Sequence, residues 1–477
     1  MSWLPTIGLE VHVQLNSKTK IFCGCEVKFA APPNSQVCPV CLGLPGTLPV
    51  LNKEVFRLGL RAVLALNGTP STKIKFDRKN YFYPDLPKGY QISQFDMPLG
   101  QGGTIDIESG GAVKTIRLNR LHLEEDAGKL MHDVSTDGSV VDLNRAGTPL
   151  AEIVSEPDID SADEAYTYLT NLKAILRSIG VSECDMEKGQ LRCDANVSVR
   201  KSAQDPLGRR VEIKNLNSFK AVKAAIEHEI ERQSAARDKG ETIAQETRLW
   251  DDVKAKTFTM RSKEEAHDYR YFPEPDLVPF SVSAAEIERE RKALPELPQQ
   301  KKERFVKEYG ISVYDAAQVT DSTDIAVLFE EAAKSMGPKS VINWIIGPVF
   351  AYLSQKNADL KDTKLTPDKL TKLAALVDQG KVSLQVAKEK IFPEVIEKGL
   401  DPEEVLNDKG MAQVSDDSAL EGWIAEVLRA NEKVVADFKT GKDGAAMFLV
   451  GQVMKKSQGK ANPGKVQTLV RKKLAEA

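Results

Sequence analysis

The sequence predicts an α+β protein, with a mainly antiparallel sheet domain over residues 1–290 followed by helices. Three observations carry this expectation. Segments in which apolar and polar residues alternate with period two, broken by Gly, Pro, Asn and Asp, fill the first part. The remainder has helical periodicity with short polar breaks. Cys23, Cys25, Cys38 and Cys41 have the C-x-C-x12-C-x2-C spacing that lets four thiolates converge on zinc.

The first strand is residues 7–15 (IGLEVHVQL). Ile7, Leu9, Val11, Val13 and Leu15 alternate with Gly8, Glu10, His12 and Gln14. Alternate side chains share a face at about 7 Å spacing, so Glu10, His12 and Gln14 form a polar row. The knuckle follows at residues 20–45, its turn shaped by Pro39 and Gly43. Four thiolates close the coordination shell, so a zinc there is structural; reduced, unmetallated thiols are the other reading. Cys184 and Cys193 lack a partner motif and read as free thiols. In residues 78–93, Lys79, Asp85 and Lys88 interleave with Tyr81, Phe82 and Tyr83. That composition suits phosphate or nucleic-acid ends, or a packed loop.

The polar face recurs. LHLEEDAGK (121–129) carries Glu124, Glu125 and Asp126, with Glu125 sharing the parity of Leu121 and Leu123. VVDLNRAGTPLAEI (140–153) sets Asp142 and Asn144 against Val141 and Leu143, with Arg145 next. In QLRCDANVSVR (190–200), Arg192, Asp194, Asn196 and Ser198 oppose Cys193, Ala195 and Val197, and in RVEIKNLNSF (210–219) Glu212 and Lys214 oppose Val211 and Ile213. Acidic residues are depleted in strands. Their repetition favours a shared acidic cavity over the sheet against a solvated face. Hard divalent cations take several oxygen ligands, which makes Glu10, His12, Glu125 and Glu212 the ligand candidates. There is no phosphate-binding glycine loop and no nucleophile elbow.

Two helices interrupt the strands. One starts at Ser161 with Glu164 three residues on, carries Leu169, Leu172, Leu176 and Ile179, and stops at Gly180. The other carries Phe219, Val222, Ile226 and Ile230 and fades at Gly240. The prolines of residues 268–298 mark a boundary. Residues 362–367 and 401–410 read as further junctions.

The chain of 477 residues has a net charge of −3, which predicts no general attraction to anionic surfaces. Nine basic and two acidic residues from 438 to 477 make the C-terminal end a candidate nucleic-acid contact or a solvated helical face. No apolar run is long enough to span a membrane. The first strand follows Met1 so closely that no targeting segment is expected.

IGLEVHVQL, CPVCLGLPGTLPVLN, KNYFYPDLPKGYQISQ, LHLEEDAGK, NRAGTPLAEIVSEPD, RCDANVSVR, EIKNLNSF and DYRYFPEPDL together resemble the B subunits of the aspartyl/glutamyl-tRNA amidotransferases, along the full chain. The resemblance implies a catalytic cradle similar to glutamine synthetase (1–290, zinc knuckle included), a helical domain (291–408) and a YqeY-like tRNA-binding tail (409–477). It implies a cytoplasmic ligase that forms carbon–nitrogen bonds with glutamine as amido donor. ATP and magnesium would phosphorylate the side-chain carboxylate of misacylated Glu-tRNA(Gln) or Asp-tRNA(Asn). Ammonia from a glutaminase partner (the A subunit), bridged by a small C subunit, would then form the amide. Under this resemblance His12, Glu125 and Glu212 bind magnesium, with Glu10 nearby. Lys79 and Lys88 serve phosphate or the ammonia path, and Asn144, Arg145, Asp194 and Lys214 contact nucleotide or substrate. A non-catalytic zinc-ribbon RNA scaffold and a stand-alone amide ligase are the alternatives.

Overall fold

The computed structural model describes residues 3–131, 138–262, 269–408, 417–439, 444–457 and 461–476. It divides into two compact units, 1–298 and 299–477. The elements of the first that matter here are β1 Leu4–Gln14, α1 Lys53–Ala65, β2 Thr69–Pro70, β3 Asp77–Asn80, β4 Tyr90–Ser93, β5 Gly100–Gln101, β6 Thr104–Ser109, β7 Ala112–Glu125, β8 Pro149–Ser155, α2 Ala162–Ser178, β9 Leu191–Arg200, β10 Val211–Leu216, α3 Phe219–Asp238, β11 Glu246–Asp251, β12 Lys256–Ser262 and β13 Arg270–Pro273.

A ten-stranded sheet runs β12-β11-β10-β9-β1-β8-β7-β5-β2, with β6 added on β7. All its pairings are antiparallel except β10 with β11. The α+β expectation holds. The alternation of β1 explains its central place: Ile7, Leu9, Val11 and Val13 are fully buried on one face. α2 and α3 contribute to that core through Leu169, Leu172 and Leu176 and through Val222 and Ile226. The Ser161 and Ser218 hydroxyls cap the two helices by accepting from Glu164 N (3.1 Å) and Ala221 N (3.0 Å). Gly180 and Gly240, both at positive φ, end them. A separate three-stranded sheet, β13-β3-β4, carries Lys79.

The second unit is helical. One core gathers Phe305, Phe329, Trp344 and Phe392; another gathers Leu420, Ile424, Leu449, Val453, Val466 and Val470 from three of the last four helices. The junction expected at 401–410 instead holds helix Pro402–Asp408, begun by Asp401, whose carboxylate accepts from Glu403 N at 2.9 Å. The tail boundary expected at 409 lies outside the described residues. Among the described residues no helix is long and apolar enough to cross a membrane.

Candidate functional site

Register assembles a polar row across the sheet. His12 on β1 stands opposite Glu152 on β8, which stands opposite His122 on β7. Glu124, two residues on, shares their face. His12 Nε2 lies 3.5 Å from Glu124 and 3.4 Å from Glu152; His122 Nε2 lies 3.1 Å from Glu152 and 3.6 Å from Glu124. One ligand atom from each of His12, Glu124 and Glu152 falls within 4.8 Å of the others.

Burial disfavours the charged form of each of these groups, while their hydrogen-bonded neighbours favour it, and a cation entering here would displace the His12 proton. Burial lowers the His122 pKa, but hydrogen bonds to Glu124 and Glu152 outweigh it and raise the value to about 9. His12 moves up for the same reasons. Both carboxyls are held below the ordinary range despite burial, chiefly by hydrogen bonds from these imidazoles. Two carboxylate oxygens and an imidazole nitrogen at this spacing are a donor set that a divalent cation accepts, with room left for water and phosphate oxygens.

The row continues toward the other sheet edge. Glu10 and Asp194 are register partners, and Asn196 pairs with Glu212. Asn196 donates to Glu10 at 2.9 Å; Lys214 bridges Asp194 (2.5 Å) and Glu212 (3.0 Å). These two carboxylates raise the Lys214 pKa against the effect of burial. Beside Glu10 and Asn196 opens a cavity of about 440 Å³, also lined by Ser198, Arg209, Arg210 and Gln245.

Of the expected residues, Glu10, His12, Asp194, Glu212 and Lys214 therefore share one face. Glu125 does not. It points to the reverse side of β7, where its carboxylate meets Lys88 and accepts from Ile92 N at 2.9 Å. The expected trio of His12, Glu125 and Glu212 does not converge, because Glu125 keeps the parity of Leu121 and Leu123, and Glu212 lies two strands from β1. Asn144 is also placed elsewhere: its amide accepts from Gln36 N (2.8 Å) and donates to Pro32 O (2.7 Å), so it clamps the loop within the knuckle. Arg145 donates to Ala127 O (3.0 Å) and Gly128 O (2.7 Å) and lies 3.4 Å from Asp126, which also pairs with Arg192. Lys79 sits over the Tyr269 ring at 4.5 Å and the Tyr81 ring at 5.9 Å. Tyr271, stacked on Phe95 at 4.1 Å, has its pKa raised to about 12 by burial and by Glu124.

Glu124, Glu152 and His122 were not selected from the sequence. Parity could have found them: Glu152 alternates with Ala151 and Ile153, and His122 and Glu124 alternate with Leu121 and Leu123.

The four knuckle sulfurs lie within 4.8 Å of one another, with Cys38 and Cys41 Sγ 3.9 Å apart. Tetrahedral zinc with bonds of about 2.3 Å needs sulfurs about 3.8 Å apart, so the cluster fits that ion. Cys41 has its pKa lowered to about 4 by the Cys23 thiol, the Cys38 N–H and the fully buried Lys20 ammonium, 3.6 Å away. Burial raises Cys25 to about 11. Gly43, at φ +68°, lets the knuckle lie against Lys88: a Cβ there would be 2.4 Å from Lys88 Cγ. The knuckle, Lys88 and Glu125 share a cavity of about 160 Å³.

Residues 5–288 match the family model described as the GatB/GatE catalytic domain, and residues 327–474 match the GatB domain model. The B subunit of the aspartyl/glutamyl-tRNA(Asn/Gln) amidotransferase of Thermoanaerobacter sp. (strain X514) is 51% identical over 477 residues, covering 100% of both chains. The proteins of that name from Carboxydothermus hydrogenoformans and Brevibacillus brevis are 51% and 50% identical, each over 98% of both chains.

Proposed function

The chain belongs to the GatB family, the B subunits of the tRNA-dependent amidotransferases, and from that premise we propose how its polar sheet face works. The reaction has two steps. A side-chain carboxylate of Glu or Asp esterified to tRNA attacks the γ-phosphorus of ATP, releasing ADP and forming an acyl phosphate. Ammonia then attacks the acyl carbon, and phosphate leaves with the former carboxylate oxygen.

The observation that carries this reading is the pair of ionised carboxylates, Glu124 and Glu152, between His12 and His122 beside the arginine-lined cavity. A divalent cation held by His12, Glu124 and Glu152 would screen the repulsion between carboxylate and triphosphate. Glu10, the next residue on the same face of β1, would position water beside such an ion. The 440 Å³ cavity is the nucleotide site, with Arg209 and Arg210 toward the phosphates and Lys214, fixed by Asp194 and Glu212, toward the transferred group. Lys88 and Lys79 serve the ammonia path. The ammonia comes from the glutaminase A subunit, and a C subunit completes the heterotrimer. The protein acts in the cytoplasm, uses structural zinc, and binds the misacylated tRNA with its tail, residues 409–477.

The test is ATP turnover and amide formation in the reconstituted complex with misacylated tRNA, for wild type and Glu152→Gln. Both activities should require the charged tRNA, and both should fall by about a hundredfold or more in the variant. A variant that keeps both would remove the metal cluster from the mechanism. Turnover without tRNA would favour a stand-alone ligase.

A further inference from the structure

We propose that a second cavity, where β9 ends beneath the last turns of α3, binds a ribose phosphate, either as a free nucleotide or as part of an RNA strand. It lies apart from the metal cluster. Arg192 beside that cluster and Arg200 at this cavity are eight residues apart on one strand, roughly 26 Å. The segment 207–209 forms a wall between this cavity and the one beside Glu10.

The cavity measures about 460 Å³ and is lined by Trp3, Arg200, Lys201, Arg209, Gln233 and Arg237, among others. That volume falls in the range of about 300–1,000 Å³ used for small-molecule sites. Four of these residues are cations, and Asp205 is the one acidic residue of the lining. Among the described residues none of the four cations makes an ion pair with a carboxylate. Trp3 gathers two of them: Lys201 lies 5.7 Å and Arg237 5.4 Å from its ring centre. Its own Nε1 donates to Asp238 at 2.9 Å.

Two buried atoms in this lining lack partners. Arg200 Nε is a donor with no acceptor, and Gln233 Oε1 is an acceptor with no donor. The Gln233 side chain is fully buried, and its orientation is fixed because Nε2 donates to Val197 O (3.0 Å) and Glu229 Oε1 (2.9 Å). Buried polar atoms left unpaired are costly and uncommon. Water filling the cavity would leave the cations without counter-charge. A phosphate supplies that charge and accepts from the cations of the lining, with its ribose beside the polar groups of the same cavity. The wall is set before binding. Gly208 presses so close to β9 that a Cβ would stand 2.5 Å from Val199 O.

The experiment is calorimetric titration of the full chain, without added magnesium, by ribose 5-phosphate and by a short single-stranded oligoribonucleotide. Wild type, Arg237→Gln and Lys201→Gln are compared, with thermal unfolding confirming that each is folded. Binding of ribose 5-phosphate that each variant weakens about tenfold supports the site with a free ester as occupant. Binding of the oligonucleotide alone, weakened likewise, supports it with an RNA phosphate as occupant. No binding of either, or binding unchanged in both variants, overturns it. Either overturning result leaves the reaction site untouched, since that site is read out by magnesium-dependent turnover.

Discussion

Glu124 and Glu125, neighbours in the chain, serve opposite faces of one strand: Glu124 meets His12 and His122, and Glu125 meets Lys88 and the Ile92 N–H. Two substitutions of the same kind should therefore separate. Glu124→Gln should weaken binding of a divalent cation about a hundredfold, measured by calorimetry on the full chain. Glu125→Gln should change it by less than about twofold. Equal loss in both would return Glu125 to the ligand set.

The knuckle should hold one zinc per chain, measured by elemental analysis, and Cys41→Ser should release it. Lys20→Met tests the support behind the metal. The ammonium beside Cys41 favours the thiolate form, so its removal should lower zinc affinity by about 10- to 100-fold in competition with a chelator. An unchanged affinity would make Lys20 a packing residue only.

Acid should loosen the contact between α2 and the β6–β7 hairpin. The Glu164 carboxylate, 8% exposed, accepts from Lys114 Nζ (2.7 Å), Asp160 N (2.8 Å) and Ser109 Oγ (2.8 Å). Burial works to raise its pKa, but these bonds together lower it. A depressed folded-state value means stabilisation that is full above the ordinary glutamate range and is lost as the pH falls on through the lower folded-state value. Glu164→Gln should cost about 1.5–3 kcal/mol at pH 7 and far less near pH 3, measured as the shift in thermal unfolding at each pH. An equal cost at both pH values would contradict it.

The tail should grip tRNA through charge. Lys455, Lys465, Arg471 and Lys472 are exposed on its last two helices. Changing all four to Gln should weaken tRNA binding and flatten its salt dependence by roughly one unit of log–log slope for each phosphate no longer neutralised. The rate at saturating tRNA should be retained. An unchanged slope would place the RNA contact elsewhere.

Much of the sheet was legible because one face is buried. Ile7, Leu9, Val11 and Val13 announced β1, and the matching alternation in β9 and β10 announced the polar face. The ligand set was harder to read because partners lie far apart in sequence. His12 meets Glu152 only through register, which periodicity in one segment does not encode. The choice of Glu125 over Glu124 set aside a parity already present in Leu121 and Leu123. Asn144 looked like a site residue because it alternates with Val141 and Leu143 on the side of Asp142, while in the structure it holds the backbone at Pro32 and Gln36.

The central position of β1 has a consequence for synthesis. The strand is made long before its neighbours: 146 residues separate Leu9 from Ser155, and 186 separate Glu10 from Asn196. At about 5–20 residues per second, the apolar side of β1 waits many seconds on the ribosome with both edges open. Unpaired apolar strands of this kind recruit other chains. The strand at the centre of the polar face is thus also a segment that protection during synthesis would favour.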